Sequence, residues 1–310
     1  MAVRIGGQAV MEGVMMKNEN HYAVSVRKPD GEIETKVEDC VSFSTKHPFF
    51  ALPILRGVVS FVESMSIGMK TLNYSASFFE DEEEETTKFD EIAEKICKGK
   101  GEKIIMTFVM IVSFAVSIGL FMILPYVASE FLHHWIKNEY VILLLEGLIR
   151  IGIFLGYIVL ISKMEDIRRV FMYHGAEHKT INCLEAGEDL TPQNVKKYSR
   201  LHKRCGTSFI FIVMIISMVF FFFIRVRTIW LRIILRLLFL PLVAGVSYEF
   251  IRLAGNSKHP LVQMFSKPGL CLQKLTTQEP DESMIEVAIA SVEGVFDWRE
   301  YLKKERKEHE

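Results

Sequence analysis

The chain has 310 residues; half are hydrophobic, 24% are charged, and the formal net charge is −1 at pH 7. A charge this close to zero gives no bulk electrostatic reason to expect a nucleic-acid partner. The five cysteines are odd in number and widely spaced without a C-x-x-C pair, which argues for reduced thiols on a cytosolic face and against a disulfide framework.

The N-terminus, MAVRIGGQAVMEGVMMK, has no apolar core long enough for a signal peptide, so the chain is expected to reach a membrane through internal segments. Its glycines at 6, 7 and 13 do not form G-x-G-x-x-G, and nucleotide binding is rejected. Gln8 and Glu12 stand among small and apolar residues, as at a tight buried turn. YAVSVR and EIETKV alternate like strands around KPDG, where Pro presets φ and Gly supplies a positive one. A β-hairpin is predicted over residues 22–37. Residues 49–78 read as an apolar helix with a few polar positions, lying on a membrane surface or packed under the spans. An acidic linker over 80–103 follows, opening with EDEEEE.

Residues 104–124 carry no charge and are long enough to cross a bilayer core of about 30 Å, with Pro125 ending the run. A second span, 141–161, contains Glu146 and Arg150 at i, i+4, a spacing that lets them pair. A third, short span covers 207–224, and a fourth, 229–251, contains Arg232, Arg236 and Pro241. Intramembrane charges are costly and suggest a polar pathway. The competing reading, that these arginines snorkel or neutralise a carboxylate, is preferred, because four spans without an inverted repeat make a poor transporter.

Nine Lys or Arg fall within 162–206, against Lys137 alone within 125–140, and Arg225 and Arg227 lie between spans three and four. The positive-inside rule then puts the 162–206 segment and both termini in the cytoplasm. His133 and His134 fall on the opposite face. The C-terminal segment, 255–310, holds PGLCLQKLTTQEPDE and then an amphipathic helix, SMIEVAIASVEGVF. The expected organisation is thus an N-terminal cytoplasmic region (1–79), the linker (80–103), spans one and two (104–161), a basic cytoplasmic segment (162–206), spans three and four (207–254) and a cytoplasmic tail (255–310). The fold class is mostly α: a polytopic membrane protein with about four transmembrane helices and a small N-terminal β-hairpin.

The chemistry-bearing stretch is MYHGAEHKTI, residues 172–181, an H-x-x-E-H arrangement. On a helix over 166–185, His174 and His178 are one turn apart and suit one metal ion. Glu177 beside them is placed to take a proton from a metal-bound water. Gly175 weakens that helix by roughly 1 kcal/mol against Ala. Glu185 lies on the same stripe but about 10 Å further along, too far for the same ion. In RLHKRCGTSF, residues 200–209, His202 and Cys205 are again at ligand spacing. All four ligands together would close a structural tetrahedral site, whereas a catalytic site keeps a position open. Thiolate favours zinc; His with carboxylate leaves iron or manganese open. The competing reading of the motif is a solvated polar helix face.

GGQAVMEGVMM, LRG at 55–57, YHGAEHKTI at 173–181, RCGTSF at 204–209, and PGL with QKLTTQEP at 268–280 together resemble the bacterial YqhQ family over almost the whole chain. The resemblance implies a multi-spanning inner-membrane protein labelled a predicted metal-dependent enzyme. Carried over by position, its marked residues are Glu12, Arg56, His174, Glu177, His178, His202, Arg204 and Cys205. The family tends to have Pro after the third histidine, where this chain has Lys203.

The first functional expectation is a metal-dependent hydrolase at the cytoplasmic membrane face, with His174 and His178 on a divalent metal, His202 or Cys205 completing the shell and Glu177 as general base. The alternative is a non-catalytic scaffold or assembly factor that docks a membrane-protein partner, with a structural metal or none.

Overall fold

The computed structural model describes residues 5–79, 101–223, 226, 228–257 and 259–308. The acidic linker falls outside these residues except at its last positions, as do Arg225 and Arg227. Two compact units emerge: residues 1–79, 158–217 and 236–310 form one, and 80–157 and 218–235 the other.

The first unit is built on an antiparallel meander of four strands, β1 (Ile5–Val10), β2 (Gly13–Asn18), β3 (His21–Arg27) and β4 (Ile33–Asp39), in the order β1-β2-β3-β4. The predicted hairpin is the β3–β4 pair, closed by Lys28 donating to the Glu32 carbonyl at 2.9 Å, with Gly31 at φ 88°. The β1–β2 hairpin was not expected. IGGQAV lacks strand alternation because its glycines have no side chain to show a face, so only the turn was visible. Glu12 sits in that turn at φ 47°, a left-handed conformation uncommon for a non-glycine residue.

Among the described residues, seven helices of this unit, and five that lie in the other or straddle the boundary, follow in chain order. The first are α1 (Phe43–Lys46) and, after a 3-10 turn at Pro48–Ala51, α2 (Leu55–Ala76). The second unit begins with α3 (Gly101–Ile118), a π turn (Gly119–Ile123) and α4 (Leu124–Leu132), and continues into α5 (Glu139–Ile161). Then come α6 (Glu165–Glu185), α7 (Pro192–Val195), α8 (Gly206–Phe222), α9 (Ile229–Asn256), α10 (Pro260–Thr276), α11 (Glu282–Val295) and α12 (Trp298–Glu308). The amphipathic C-terminal helix is present as α11; α10 and α12 were not anticipated.

Period-two alternation sends Val14 and Met16 to one face of the sheet, where they join Tyr173, Ala176 and Leu184 of α6 and Met284, Ile285 and Val292 of α11. The other face, through Val10, Met15, Val24 and Val26, packs on Ile67 and Tyr74 of α2. Segments from the two ends of the chain and its middle therefore share one core, helix on sheet on helix. Each apolar side chain fully buried there contributes about 1.5–3 kcal/mol. Gly294 lets α11 close on the sheet: a Cβ there would stand 2.7 Å from that of Ala23.

Among the described residues, three helices are long and apolar enough to cross a membrane: Thr107–Leu132, Glu139–Ile161 and Ile233–Ala254. The expected third of four spans, α8, has 17 residues, at the lower edge of what a bilayer core requires.

In the second unit Pro125 does not end its run, contrary to expectation. Proline lacks an N–H and crowds the carbonyl four residues back, here that of Phe121. The helix accommodates this through the π turn at 119–123, and Arg150 Nε donates to the Phe121 carbonyl at 3.1 Å. Arg150 also pairs with buried Glu146 at 2.9 Å, as the i, i+4 spacing predicts. One guanidinium thus serves a proline-displaced carbonyl and a buried carboxylate. Arg150→Leu is expected to lower stability by about 3 kcal/mol, because it strips partners from both groups. The double variant Glu146→Leu/Arg150→Leu should recover part of that loss in detergent melting curves.

Candidate metal centre

Helix α6 carries Glu165 and Asp166 in its first turn, where carboxylates favour the helix dipole. Two chain segments strap it. The first follows α10: Gln278 donates from its backbone to the Phe171 carbonyl at 2.8 Å, and the Gln278 carbonyl lies directly against Gly175, where a Cβ would collide with it. The glycine that weakens the helix is thus what admits this strap. The second precedes α8: Asn182 donates to the carbonyls of Ser199 at 2.7 Å and Leu201 at 3.1 Å.

Each strap orients one histidine. His174 Nδ1 lies 2.9 Å from the Thr276 carbonyl and His178 Nδ1 lies 2.6 Å from the Arg200 carbonyl. A carbonyl only accepts, so each Nδ1 carries a proton and, in the neutral ring, each Nε2 presents a lone pair, the arrangement that second-sphere carbonyls impose on metal-binding histidines. The lone pairs converge. His174 Nε2 is 3.2 Å from Cys205 Sγ, the His174 and His178 rings are 4.4 Å apart, and the ligand atoms of His174, His178 and Cys205 all lie within 4.8 Å of one another. His178 Nε2 is buried with no hydrogen-bond partner. Buried polar atoms rarely lack partners, and His174, His178 and Cys205 form a group that could hold a metal ion. Burial holds the His178 imidazole below its usual pKa, with Cys205 opposing.

Glu177 faces β1. A Cβ on Gly7 would stand 2.8 Å from its carboxyl oxygen, so only glycine gives the carboxylate room. Burial raises its pKa, opposed by His174, His202 and the Gly7 backbone.

His202 is not among the three converging residues. Its Nε2 is 3.5 Å from Glu185 Oε2, and its ring centre stands 5.7 Å from that of His178. Glu185, too distant on α6 to share an ion with His174, instead accepts from both His202 and Arg204. Burial pushes the Glu185 carboxyl up, but His202 and Arg204 outweigh it and hold it below its usual range. Fully buried Gln273 of α10 clamps the His202 backbone, accepting from its N–H at 2.9 Å and donating to its carbonyl at 2.8 Å.

Two other candidates lie away from the cluster. Glu12 accepts from the Arg169 guanidinium through both oxygens and from the Tyr173 hydroxyl at 3.2 Å, fastening the β1–β2 turn to α6. Arg56 of α2 pairs with Glu249 of α9 at 2.5 and 2.6 Å. The orienting carbonyls of Thr276 and Arg200 escaped sequence reading because any residue type supplies a carbonyl. Gln273 and Gly7 sat inside segments that had been singled out for other reasons.

Compared with known proteins, residues 52–298 match the family model described as "Protein of unknown function (DUF1385)". The chain is 36% identical over 294 residues to "Uncharacterized protein YqhQ" of Bacillus subtilis (strain 168), covering 92% of this chain and 90% of that protein. No solved structure matches. The chain belongs to the DUF1385 family.

Proposed function

We propose that this DUF1385 member is a membrane-embedded metal-dependent hydrolase, working at the cytoplasmic face with zinc held by His174, His178 and Cys205. The observation that carries this reading is the buried, unpartnered Nε2 of His178, aimed into a His/His/Cys group whose two rings are fixed by backbone carbonyls. The donor set suits tetrahedral zinc, and three protein ligands are the number a catalytic site uses. Zinc held by these residues would polarise a substrate oxygen and lower the pKa of water to about 7.

The protein's own residues supply the rest. Glu177 is a buried carboxylate whose pKa burial raises, suited to take a proton and hand it on. His202, held by Gln273 and Glu185, offers a second imidazole beside the ligands to hydrogen-bond a leaving group. Cys205 immediately precedes apolar α8, which supports substrates presented at headgroup depth: lipids, lipid-linked precursors or membrane peptides. The excess of Lys and Arg in 162–206 supports a cytoplasmic site.

A second reading, an assembly factor with a structural metal, is favoured by the near-complete burial of His178 and Glu177. Elemental analysis of detergent-purified protein separates the two. Wild type is expected to carry about one zinc per chain, the stoichiometry of a mononuclear site. His178→Ala and Cys205→Ser should lose it, and His202→Ala should keep it. Loss of zinc in His202→Ala would make that residue a fourth ligand, close the shell and favour the assembly factor. Wild type without metal, prepared in the absence of chelators, would overturn both metal readings.

A further inference from the structure

Helix α2 is amphipathic in the reverse of the usual sense. The side it buries is made mainly of small residues, Gly57, Gly68, Thr71 and Ser75, with Ile67 as the one large apolar residue among them. The side it exposes carries Val62, Met65, Met69 and Leu72, each between 42% and 59% exposed. A helix in water turns its apolar stripe inward; small residues are buried, and large apolar ones exposed, where the surroundings are themselves apolar.

The start of α2 lies deep along α9. A Cβ on Gly245 would come within 2.6 Å of both the Ile54 side chain and its carbonyl, and one on Gly57 would meet Tyr248 and Gly245 at 2.8 and 2.9 Å. Gly245 is about nine residues, or about 13 Å at helical rise, inside the Ala254 end of the apolar stretch Ile233–Ala254. Glu249 receives the Arg56 guanidinium and the Ile54 backbone N–H, so the Arg56 charge is paired and the Ile54 N–H is satisfied against protein. Irregular backbone at membrane depth requires that condition. Phe49 is 65% and Leu52 49% exposed at the same apex. The chain returns toward the sheet on both sides. Phe61 stacks on Phe209 near the start of α8 at 5.7 Å, Gly68 lies against Gln8 of β1, and Glu63 accepts from Ser42 and from the Phe43 N–H, closing the hairpin at its mouth.

We propose that residues 43–63 form a re-entrant hairpin embedded in the leaflet next to the metal centre, with Phe49, Leu52 and Val62 contacting acyl chains. This rests on α9 being a membrane span, as the proposed function requires. The occupant is the bilayer because the hairpin packs on α9 through Ile54 and Gly57, and α9 itself exposes Leu237, Leu238 and Leu240.

The test is photolabelling of the intact protein in liposomes of phosphatidylcholine and phosphatidylglycerol containing a phospholipid with a diazirine in its acyl chain. Labelled peptides are then mapped by mass spectrometry. Label is expected on peptides holding Phe49–Leu52 and Val62–Met65 at yields within about threefold of those on the α9 peptide, and background label on α12, since acyl-chain contact and not exposure sets the yield. Label on α9 with background on 43–63 overturns the hairpin while leaving α9 a span; a dimer by light scattering would then give that face to a second copy. Background label on both overturns the hairpin together with the membrane reading beneath it.

Discussion

If the proposed hydrolase reading holds, Glu177→Gln is expected to keep zinc and the fold while losing about 10²–10⁴-fold in activity, the contribution of a positioned general base. The amide has nearly the shape of the carboxylate, so it fits the space that Gly7 leaves open. It cannot accept a proton, and it removes a charge that burial penalises, so the melting temperature should not fall below that of wild type. No assay substrate is needed for a first measurement. Complementation of a deletion strain reports activity, and metal content and melting of the purified variant report the fold. Full complementation by Glu177→Gln would sink the hydrolase mechanism. Failure to complement with zinc and stability intact would separate Glu177 from the structural residues around it, since a merely structural carboxylate has no way to abolish function in a folded, metal-loaded protein.

The grouping of His174, His178 and Cys205 was legible in the sequence because these residues obey spacing rules. His174 and His178 are one helical turn apart, and Cys205 sits at the entry to an apolar run. What spacing does not carry is which way a ring turns. His202 has the same local spacing to Cys205 as a ligand would, yet it faces Glu185, because Gln273, which is 71 residues away in sequence, clamps its backbone. The fold shows the same division. β3, β4, α2, α6 and α11 have strong periodicity or turn chemistry and were readable. β1 was hidden by its glycines, and α10 by Pro268 inside it. At Pro125 a sequence rule predicted a helix end, and a distant arginine, by satisfying the Phe121 carbonyl, allowed the helix to continue. In each case a contact far along the chain decided against local preference.

Gly175→Ala should test how far the straps govern the metal group. By helix propensity alone the substitution stabilises α6 by about 1 kcal/mol. Against this, the new Cβ would run into the Gln278 carbonyl, which belongs to a backbone held by its own bond to Phe171 and cannot rotate away as a flexible side chain would. Overpacking of this kind costs about 1–3 kcal/mol or more, so the net expectation is destabilisation of about 2 kcal/mol. The displacement also propagates. Thr276, two residues before Gln278, supplies the carbonyl that fixes His174, and loss of such an outer-sphere partner weakens metal binding about 10–100-fold. Gly175→Ala should therefore melt at a lower temperature and surrender zinc to a weaker chelator than wild type does. Gly152→Ala is the matching control: it also lies within a helix, but nothing stands within 4 Å of its added Cβ, so stability and zinc should hold. A Gly175→Ala variant as stable and as retentive as wild type would mean that the strap yields, and that His174 does not depend on it for its orientation.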